Sequence, residues 1–358
     1  MMQPSPVQHI NRVFLLACAP FLGMLICLLF VSLDVKLLPW QPSVPTAMTF
    51  SQETTALQNG LALASDNAVQ TKSIIQQYYD LYEKSTAEVT AMLQAAAAGA
   101  LKPGVIYDSR ITAKLGSPIR QASSGNIDIM LFSLNEKNYT GYALKVNLKN
   151  DKAIKLVLGN DKLGSSETTL SAANRYGAIA GVNAGGFADD RSGRRYPLDT
   201  TMINGKYLNG FFPSNNGTVF IGLNKDRKLI GGKFSSQAEL DKLNPQMGST
   251  FVPTLLKGGS KQAIPAQWQT SPARAARTVM ANYKNDQLLF LVTDGYDESG
   301  NSGATLAELQ DKMQQLGVVD AYNLDGGGST TLVWGGSVIN KPSDGRLRPL
   351  ATHFLFFK

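Results

Sequence analysis

The sequence is nearly devoid of cysteine and histidine, with two of each in 358 residues. Both cysteines, Cys18 and Cys27, lie in one apolar N-terminal stretch. Beyond it there is no thiol for a disulfide, a metal thiolate or a cysteine nucleophile. The histidines are His9 and His353. His353 stands in the strand-like run Ala351-Thr352-His353-Phe354-Leu355-Phe356, where a packed core imidazole is expected, and acyl transfer through a histidine-based triad is thereby disfavoured. Charge is also sparse, at 17% of residues, and the net +7 from 34 basic against 27 acidic side chains is spread without runs. A diffuse positive field suits anionic partners or simply a solvated basic surface. With no helix-turn-helix, zinc-finger or stacking-aromatic module in view, nucleic acid is excluded as the main partner. What is present, 43% hydrophobic residues, is ordinary for a globular protein with a sizeable core.

Residues 13–33 carry no charge and are long enough to cross a bilayer as a helix. The apolar run exceeds that of a cleaved signal peptide, so an uncleaved single-pass signal anchor is expected. Arg12 and the terminal amine precede the span, which places residues 1–12 in the cytoplasm and the bulk of the chain outside the membrane. Residues 34–51, with Pro39, Pro42 and Pro45, read as an extended spacer. Residues 52–103 are rich in Ala, Gln, Leu, Glu and Lys and predict a helical stalk. Its Leu57, Leu61, Ala64, Ala68, Ile75, Tyr78, Tyr82, Val89 and Met92 fall on a three-four spacing, shared by Thr71 and Ser85. That seam fits a coiled coil, hence self-association, or packing against the globular part. The Lys102-Pro103-Gly104 turn is expected to close it.

From residue 104 onward, short apolar alternations separated by Gly, Asn and Asp predict strands at 127–134, 141–148, 154–158, 178–182, 218–223, 278–283, 288–293, 321–324, 330–334 and 350–357. Helical spacing occurs at 168–176 and 305–316. Strands outnumber helices without regular alternation, so the expected class is α+β, with a mixed β-sheet domain over 104–358 behind the transmembrane helix and stalk.

Three strands run into polar residues and glycine: Asn183-Ala184-Gly185-Gly186-Phe187, Thr293-Asp294-Gly295 and Asn323-Leu324-Asp325-Gly326-Gly327-Gly328-Ser329. Polar groups at strand ends, followed by glycines that let a substrate approach the backbone, commonly furnish clefts, although a single Asp-Gly is usually a turn. The third segment lacks a Walker lysine, and its successive N–H groups can form an anion nest. At these residues the sequence resembles the phosphodiester glycosidase family. Arg277-Thr278, Ser302-Gly303-Ala304-Thr305-Leu306-Ala307-Glu308-Leu309, Asn340-Lys341-Pro342-Ser343-Asp344 and Arg348-Pro349 complete the resemblance in family order, over roughly residues 105 to 358. Tyr296 and Ala188 depart from the family pattern, and the anchor and stalk lie outside it.

The resemblance implies hydrolysis of a glycosyl phosphodiester, in which the leaving phosphate monoester is already a stable anion and needs little protonation. Arg277 and Arg348 are the candidate phosphate clamps, and the Gly326, Gly327 and Gly328 N–H groups the anion nest, closed by Ser329. Asp325 and Asp294 offer a carboxylate for the sugar carbon or for activating water. Asn183 and Asn323 are candidates for sugar hydroxyls, with Gly185 and Gly186 opening the backbone to substrate. No cofactor is required by this scheme. A metal-assisted phosphodiesterase with Asp294 and Asp325 holding Mg²⁺ or Ca²⁺, and a non-catalytic module binding a phosphate-containing cell-wall polymer, are the competing readings. The expected partners are an anionic sugar phosphate of a cell-surface or exopolysaccharide type and the membrane.

Overall fold

The computed structural model describes residues 18–19, 21–23, 47–215, 217–296 and 303–358. Nearly all of the expected anchor 13–33, the N-terminal 1–12 and most of the spacer lie outside the described residues. Among the described residues no helix is long and apolar enough to cross a membrane. The chain divides into two compact units, Met1–Met92 and Leu93–Lys358.

The first unit is dominated by a helix that begins at Ala47. Along it Leu57, Leu61, Ile75, Tyr78, Tyr82, Val89 and Met92 all stand exposed. The same helix extends into the second unit and ends only at Leu115, so Pro103 lies inside it and the expected closing turn does not form. Proline removes one backbone hydrogen bond and crowds the preceding turn. Beyond it the helix is held by burial of Ile111 and Leu115 against the sheet, and by Asp108, which accepts hydrogen bonds from Lys145 Nζ (2.5 Å) and Gln287 Nε2 (2.7 Å). Packing decides the boundary where local propensity points the other way.

The second unit is α+β. Its largest sheet has eight strands in the order Arg120–Ser123, Ile127–Asn135, Thr140–Leu148, Leu288–Thr293, Arg277–Asn282, Asp320–Leu324, Thr254–Lys257 and Ser260–Lys261. A five-stranded sheet orders Ser337–Val338, Leu332–Trp334, Ala180–Asn183, Thr352–Phe356 and Ile154–Leu158. Another orders Leu229–Gly232, Val219–Asn224, Pro245–Phe251, Met202–Ile203 and Lys206–Tyr207. Phe187–Asp189 and Arg195–Pro197 form a separate hairpin. The sheets are not mixed as expected: every described ladder is antiparallel, from the hairpin pairing of Ile127–Asn135 with Thr140–Leu148 to the long-range pairing of Ala180–Asn183 with Thr352–Phe356. Parallel neighbours need long crossover connections, and the strands here are joined by hairpins or brought together from distant segments in opposite sense.

Period-two alternation divides the large sheet's faces. Ile127, Ile129, Leu131, Phe290 and Val292 point into a cluster shared with Val182, Phe354 and Phe356 of one small sheet and Ile221 and Leu223 of the other. The Phe290 ring meets Phe356 edge-on at 5.2 Å between centroids. The intervening Phe132, Leu134, Leu289 and Leu291 face the opposite cluster with Leu309, Met313 and Leu316. These last belong to the helix Leu306–Leu316, whose start is fixed by a Thr305–Glu308 capping box. Arg274 donates to both Glu308 oxygens (2.9 and 2.7 Å), and despite partial burial these bonds hold the Glu308 carboxyl down to about 2.

His353 is fully buried, with Nδ1 3.0 Å from Thr169 Oγ1. Burial pushes its pKa down to about 4, so it is a neutral core side chain at pH 7.

Candidate active site

Asp325 follows the strand Asp320–Leu324 at the point where the large sheet meets Ala180–Asn183 of a smaller one. Its backbone is fixed on both sides: its N–H donates to Ala184 O (3.2 Å), and its carbonyl accepts from Asn183 Nδ2 (2.7 Å). The Gly326 N–H donates to Asp325 Oδ1 (3.0 Å), whereas Oδ2 is shielded from solvent with no hydrogen-bond partner among the described residues. Loss of solvation dominates, and it raises the Asp325 pKa to about 6 against the lowering effects of the nearby Ser329 hydroxyl, the Gly326 N–H and the charges of Arg348 and Arg195. A carboxyl with that pKa can take up and release a proton near neutrality.

The glycines after Asp325 do not present an open row of donors. Gly326 N–H is turned to the Asp325 side chain and Gly327 N–H to Ala276 O (2.8 Å), as Gly327–Ser329 closes into a 3-10 turn. The reason for glycine at 328 is steric: a Cβ there would run into the Asp344 carboxylate and the Arg348 guanidinium.

Next to this turn opens a cleft of ≈ 690 Å³ lined by Phe187, Arg195, Asp344, Arg346, Leu347, Arg348 and Pro349. Arg195 is aimed by the hairpin. Its Nε and Nη2 donate to the two Asp189 oxygens (2.7 and 2.8 Å), Nη1 donates to Pro349 O, and the guanidinium lies 4.0 Å from the centroid of the Phe187 ring. Arg348 donates from Nε (3.1 Å) and Nη2 (2.6 Å) to Asp344 Oδ2, and from Nη1 to Ser329 Oγ (3.4 Å), which links it to the Asp325 turn. Arg346 is exposed.

The segment carrying Asp344 and Arg348 is pinned from below. Asn340 Oδ1 accepts from Leu332 N–H (2.7 Å) and its Nδ2 donates to Thr330 O (3.0 Å). Asp294, 4% exposed at the end of Leu288–Thr293, accepts from Thr140 Oγ1 (3.1 Å) and from the Lys341 N–H (2.7 Å). Its carboxylate therefore holds the 340–348 segment against the sheet end.

Of the residues singled out from sequence, Asp325, Gly326, Gly327, Gly328, Ser329 and Arg348 come together here. Arg277 lies beneath the glycine turn, 4% exposed, and directs Nε to Ala304 O (3.3 Å) and Nη2 to Pro272 O (2.8 Å), away from the cleft lining; burial lowers its pKa. Asn183 and Asn323 are buried, the former fully. Asn183 Oδ1 accepts from Thr278 Oγ1 (2.8 Å) and Thr331 N–H (3.1 Å), and Asn323 Nδ2 donates to Val252 O (2.6 Å). Gly185 and Gly186 admit protein: a Cβ would meet Ser249 at the first and the Phe251 ring at the second. Sequence reasoning missed Arg195 and Arg346, and gave no role to Asp344 although it ends one of the segments that carry the resemblance. The available signal for the first was the local exception to the even spread of charge, five charged side chains among the seven residues Asp189-Asp190-Arg191-Ser192-Gly193-Arg194-Arg195. Among the described residues no group of three or more His, Cys, Asp or Glu gathers as a metal-holding cluster.

A family model described as phosphodiester glycosidase matches residues 176–357, half of the chain. The mouse N-acetylglucosamine-1-phosphodiester alpha-N-acetylglucosaminidase is 32% identical over 138 residues, covering 34% of this chain and 26% of that protein. The human enzyme of the same name gives the same identity and coverage. The chain thus spans about a quarter of the length of the curated relatives it matches. The solved catalytic domain of the zebrafish enzyme of that name, auto-inhibited by its pro-peptide, superposes with a TM-score of 0.54 at 20% identity, over 68% of this chain and 87% of that one, which establishes a shared fold. With the family model spanning half of its length, the chain belongs to the phosphodiester glycosidase family.

Proposed function

We propose that the cleft hydrolyses a glycosyl phosphodiester at the sugar C1–O bond, with Asp325 as the catalytic carboxylate and Arg348 and Arg195 holding the phosphate. The observation that carries this reading is the Asp325 carboxyl, raised to about 6 with one oxygen unpartnered, beside an arginine-lined cleft. A phosphate monoester leaves as a stable anion, so guanidinium stabilisation of the leaving group does more than a strong acid would. The ionised Asp325 then supplies negative charge for an oxocarbenium-like carbon, or removes a proton from the attacking water. Asp294 and Arg277 act through the scaffold: one holds the 340–348 segment, the other fills the space under the glycine turn. The names of the mouse and human relatives make an N-acetylglucosamine-1-phosphodiester the first substrate to try.

The purified protein should turn over a chromogenic N-acetylglucosamine phosphodiester, and in ¹⁸O water the label should enter the anomeric hydroxyl. Label in the phosphate would replace this reading with P–O cleavage. Binding without turnover would make the cleft a recognition site for phosphate-bearing polymer.

The uncharged run 13–33 supports an anchor with the 104–358 domain outside the membrane, acting on a cell-surface or exopolysaccharide substrate. Protease added to intact cells should then release that domain, and protection until lysis would reverse the orientation. The exposed three-four seam from Leu57 to Met92 supports pairing with the same helix of a second copy, because that spacing is the one two supercoiled helices bury mutually. Sedimentation of the detergent-solubilised full chain should show an oligomer that Ile75→Asp with Tyr82→Asp dissociates; an unchanged or already monomeric species would remove the proposal.

A further inference from the structure

We infer that Asp344 occupies the phosphate's seat on Arg348, so that a substrate phosphate binds by exchange with this carboxylate and Asp344 sets the affinity of the cleft for anions. The identity of the incoming group rests on the phosphodiester reading above. Three features of the geometry carry the inference.

First, the Asp344 carboxylate uses the part of Arg348 that a phosphate would use. Arg348 Nε and Nη2 both converge on the single oxygen Asp344 Oδ2. A guanidinium presents these two donors as a fork that suits carboxylate and phosphate oxygens equally. Second, the position of that oxygen is defined by the floor of the cleft as well as by the arginine. Asp344 Oδ2 lies against the Gly328 backbone so closely that no side chain fits there, and two residues earlier in the same turn the Gly326 N–H donates to Asp325 Oδ1. A group seated at this point is therefore in the cleft that Asp344 and Arg348 line and against the turn that follows Asp325. Third, the pair is built to be exchanged. Both side chains are 36% exposed, Asp344 stands on a turn closed by Gly345 in the left-handed region (φ 68) with Arg348 four residues on in irregular chain, and among the described residues no other cation is bonded to Asp344. Exposed ion pairs of this kind contribute little to stability. Arg195, by contrast, has both Asp189 oxygens and a backbone carbonyl holding it, and is a fixed donor set.

Exchange has a consequence for selectivity. An anion able to accept from Arg348 and to be attracted by Arg195 and Arg346 displaces Asp344, whereas a neutral glycoside does not. Once displaced, the Asp344 carboxylate remains near the incoming phosphate and repels it. Removing that charge without altering the side chain's shape should tighten anion binding.

The test is Asp344→Asn beside Asp344→Ala and Arg348→Gln, with inorganic phosphate titrated into each full-length protein by calorimetry and KM measured on the glycosyl phosphodiester. The expected result is tighter phosphate binding by about three- to tenfold in both Asp344 variants, a matching fall in KM, and phosphate binding weakened at least tenfold in Arg348→Gln. Unchanged or weaker phosphate binding in Asp344→Asn and Asp344→Ala would overturn the inference and leave Asp344 as a residue that merely orients Arg348. Absence of phosphate binding from wild type and all variants would also overturn it. The two readings fail separately. Tightened phosphate binding with no turnover in any protein removes the glycosidase reading and keeps the exchange, whereas normal turnover with a raised KM in Asp344→Asn does the reverse.

Discussion

Asp325→Asn should lose turnover by about two to three powers of ten while its melting temperature at pH 8 equals or exceeds that of the unsubstituted protein. The loss follows from the proposed role of Asp325, because removing a charge that stabilises a transition state typically costs that much in rate. The stability effect follows from linkage. The Asp325 carboxyl has its folded pKa raised from the ordinary 3.8 to about 6, so folding favours its protonated form. That favourable contribution is complete below pH 3.8 and is lost as pH rises through 6, leaving a charged carboxylate in a poorly solvated position at pH 8. Each tenfold change in proton affinity is worth roughly 1.4 kcal/mol, so the penalty is up to about 3 kcal/mol, and the amide escapes it. The variant's advantage in melting temperature should therefore be largest above pH 7 and vanish near pH 4. In the unsubstituted protein, kcat/KM should fall on the acid side with a midpoint near the Asp325 pKa, about 6, and that limb should be absent from the residual activity of Asp325→Asn. Full turnover with normal folding would take Asp325 out of the mechanism. Loss of both activity and melting temperature at pH 8 would make it a structural residue.

Much of this site was readable from the sequence because its central element is local. Asp325, the glycines and Ser329 are consecutive, and a strand delivering a carboxylate into a glycine turn is a pattern within one short segment. The ten expected strands and two expected helices of the second unit are also present, because alternating runs such as Ile127–Asn135 and Leu288–Thr293 carry their burial pattern in their own spacing. What was not legible depends on partners distant in the chain. The strand Pro245–Phe251 has Gln246, Gly248, Ser249 and Thr250 where apolar alternation would be expected, and it forms because Val219–Asn224 and Met202 bracket it. The Arg195 guanidinium reaches the cleft because Asp189 across the hairpin and the carbonyl of Pro349 aim it. Nothing in the dipeptide Arg194-Arg195 says which of the two turns inward. Likewise a polar residue at a strand end reads as a substrate ligand until its neighbours are known. Asp294 accepts from the Lys341 N–H and the Thr140 hydroxyl, and Asn323 Nδ2 donates to Val252 O while its Oδ1 is buried without a partner among the described residues.

Asn183 gives the sharpest separation of the two kinds of role, because its side chain touches several segments at once. It is fully buried, donates to the Asp325 carbonyl and accepts from Thr278 Oγ1 and the Thr331 N–H, so one amide ties the Asp325 turn to a neighbouring strand and to the loop that follows the turn. Asn183→Ala leaves a buried carbonyl, a hydroxyl and an N–H without partners, each at a cost of about 1–3 kcal/mol where no water can enter. With partial relaxation a total of about 2–5 kcal/mol is expected, which for a domain of this size lowers the melting temperature by roughly 5–15 °C. Thr278→Val removes only one of these bonds and should cost about 1 kcal/mol. In the double variant the second loss should be smaller than the first, because the partner has already gone. A sugar-binding asparagine behaves differently: its alanine variant keeps a normal melting temperature and shows a raised KM. The measurement is thermal unfolding of the three variants beside KM on the glycosyl phosphodiester. A stable Asn183→Ala with a raised KM would return Asn183 to the substrate, whereas a large fall in melting temperature, with near-normal KM in the fraction that remains folded, fixes it as the tie that holds Asp325 at the mouth of the cleft.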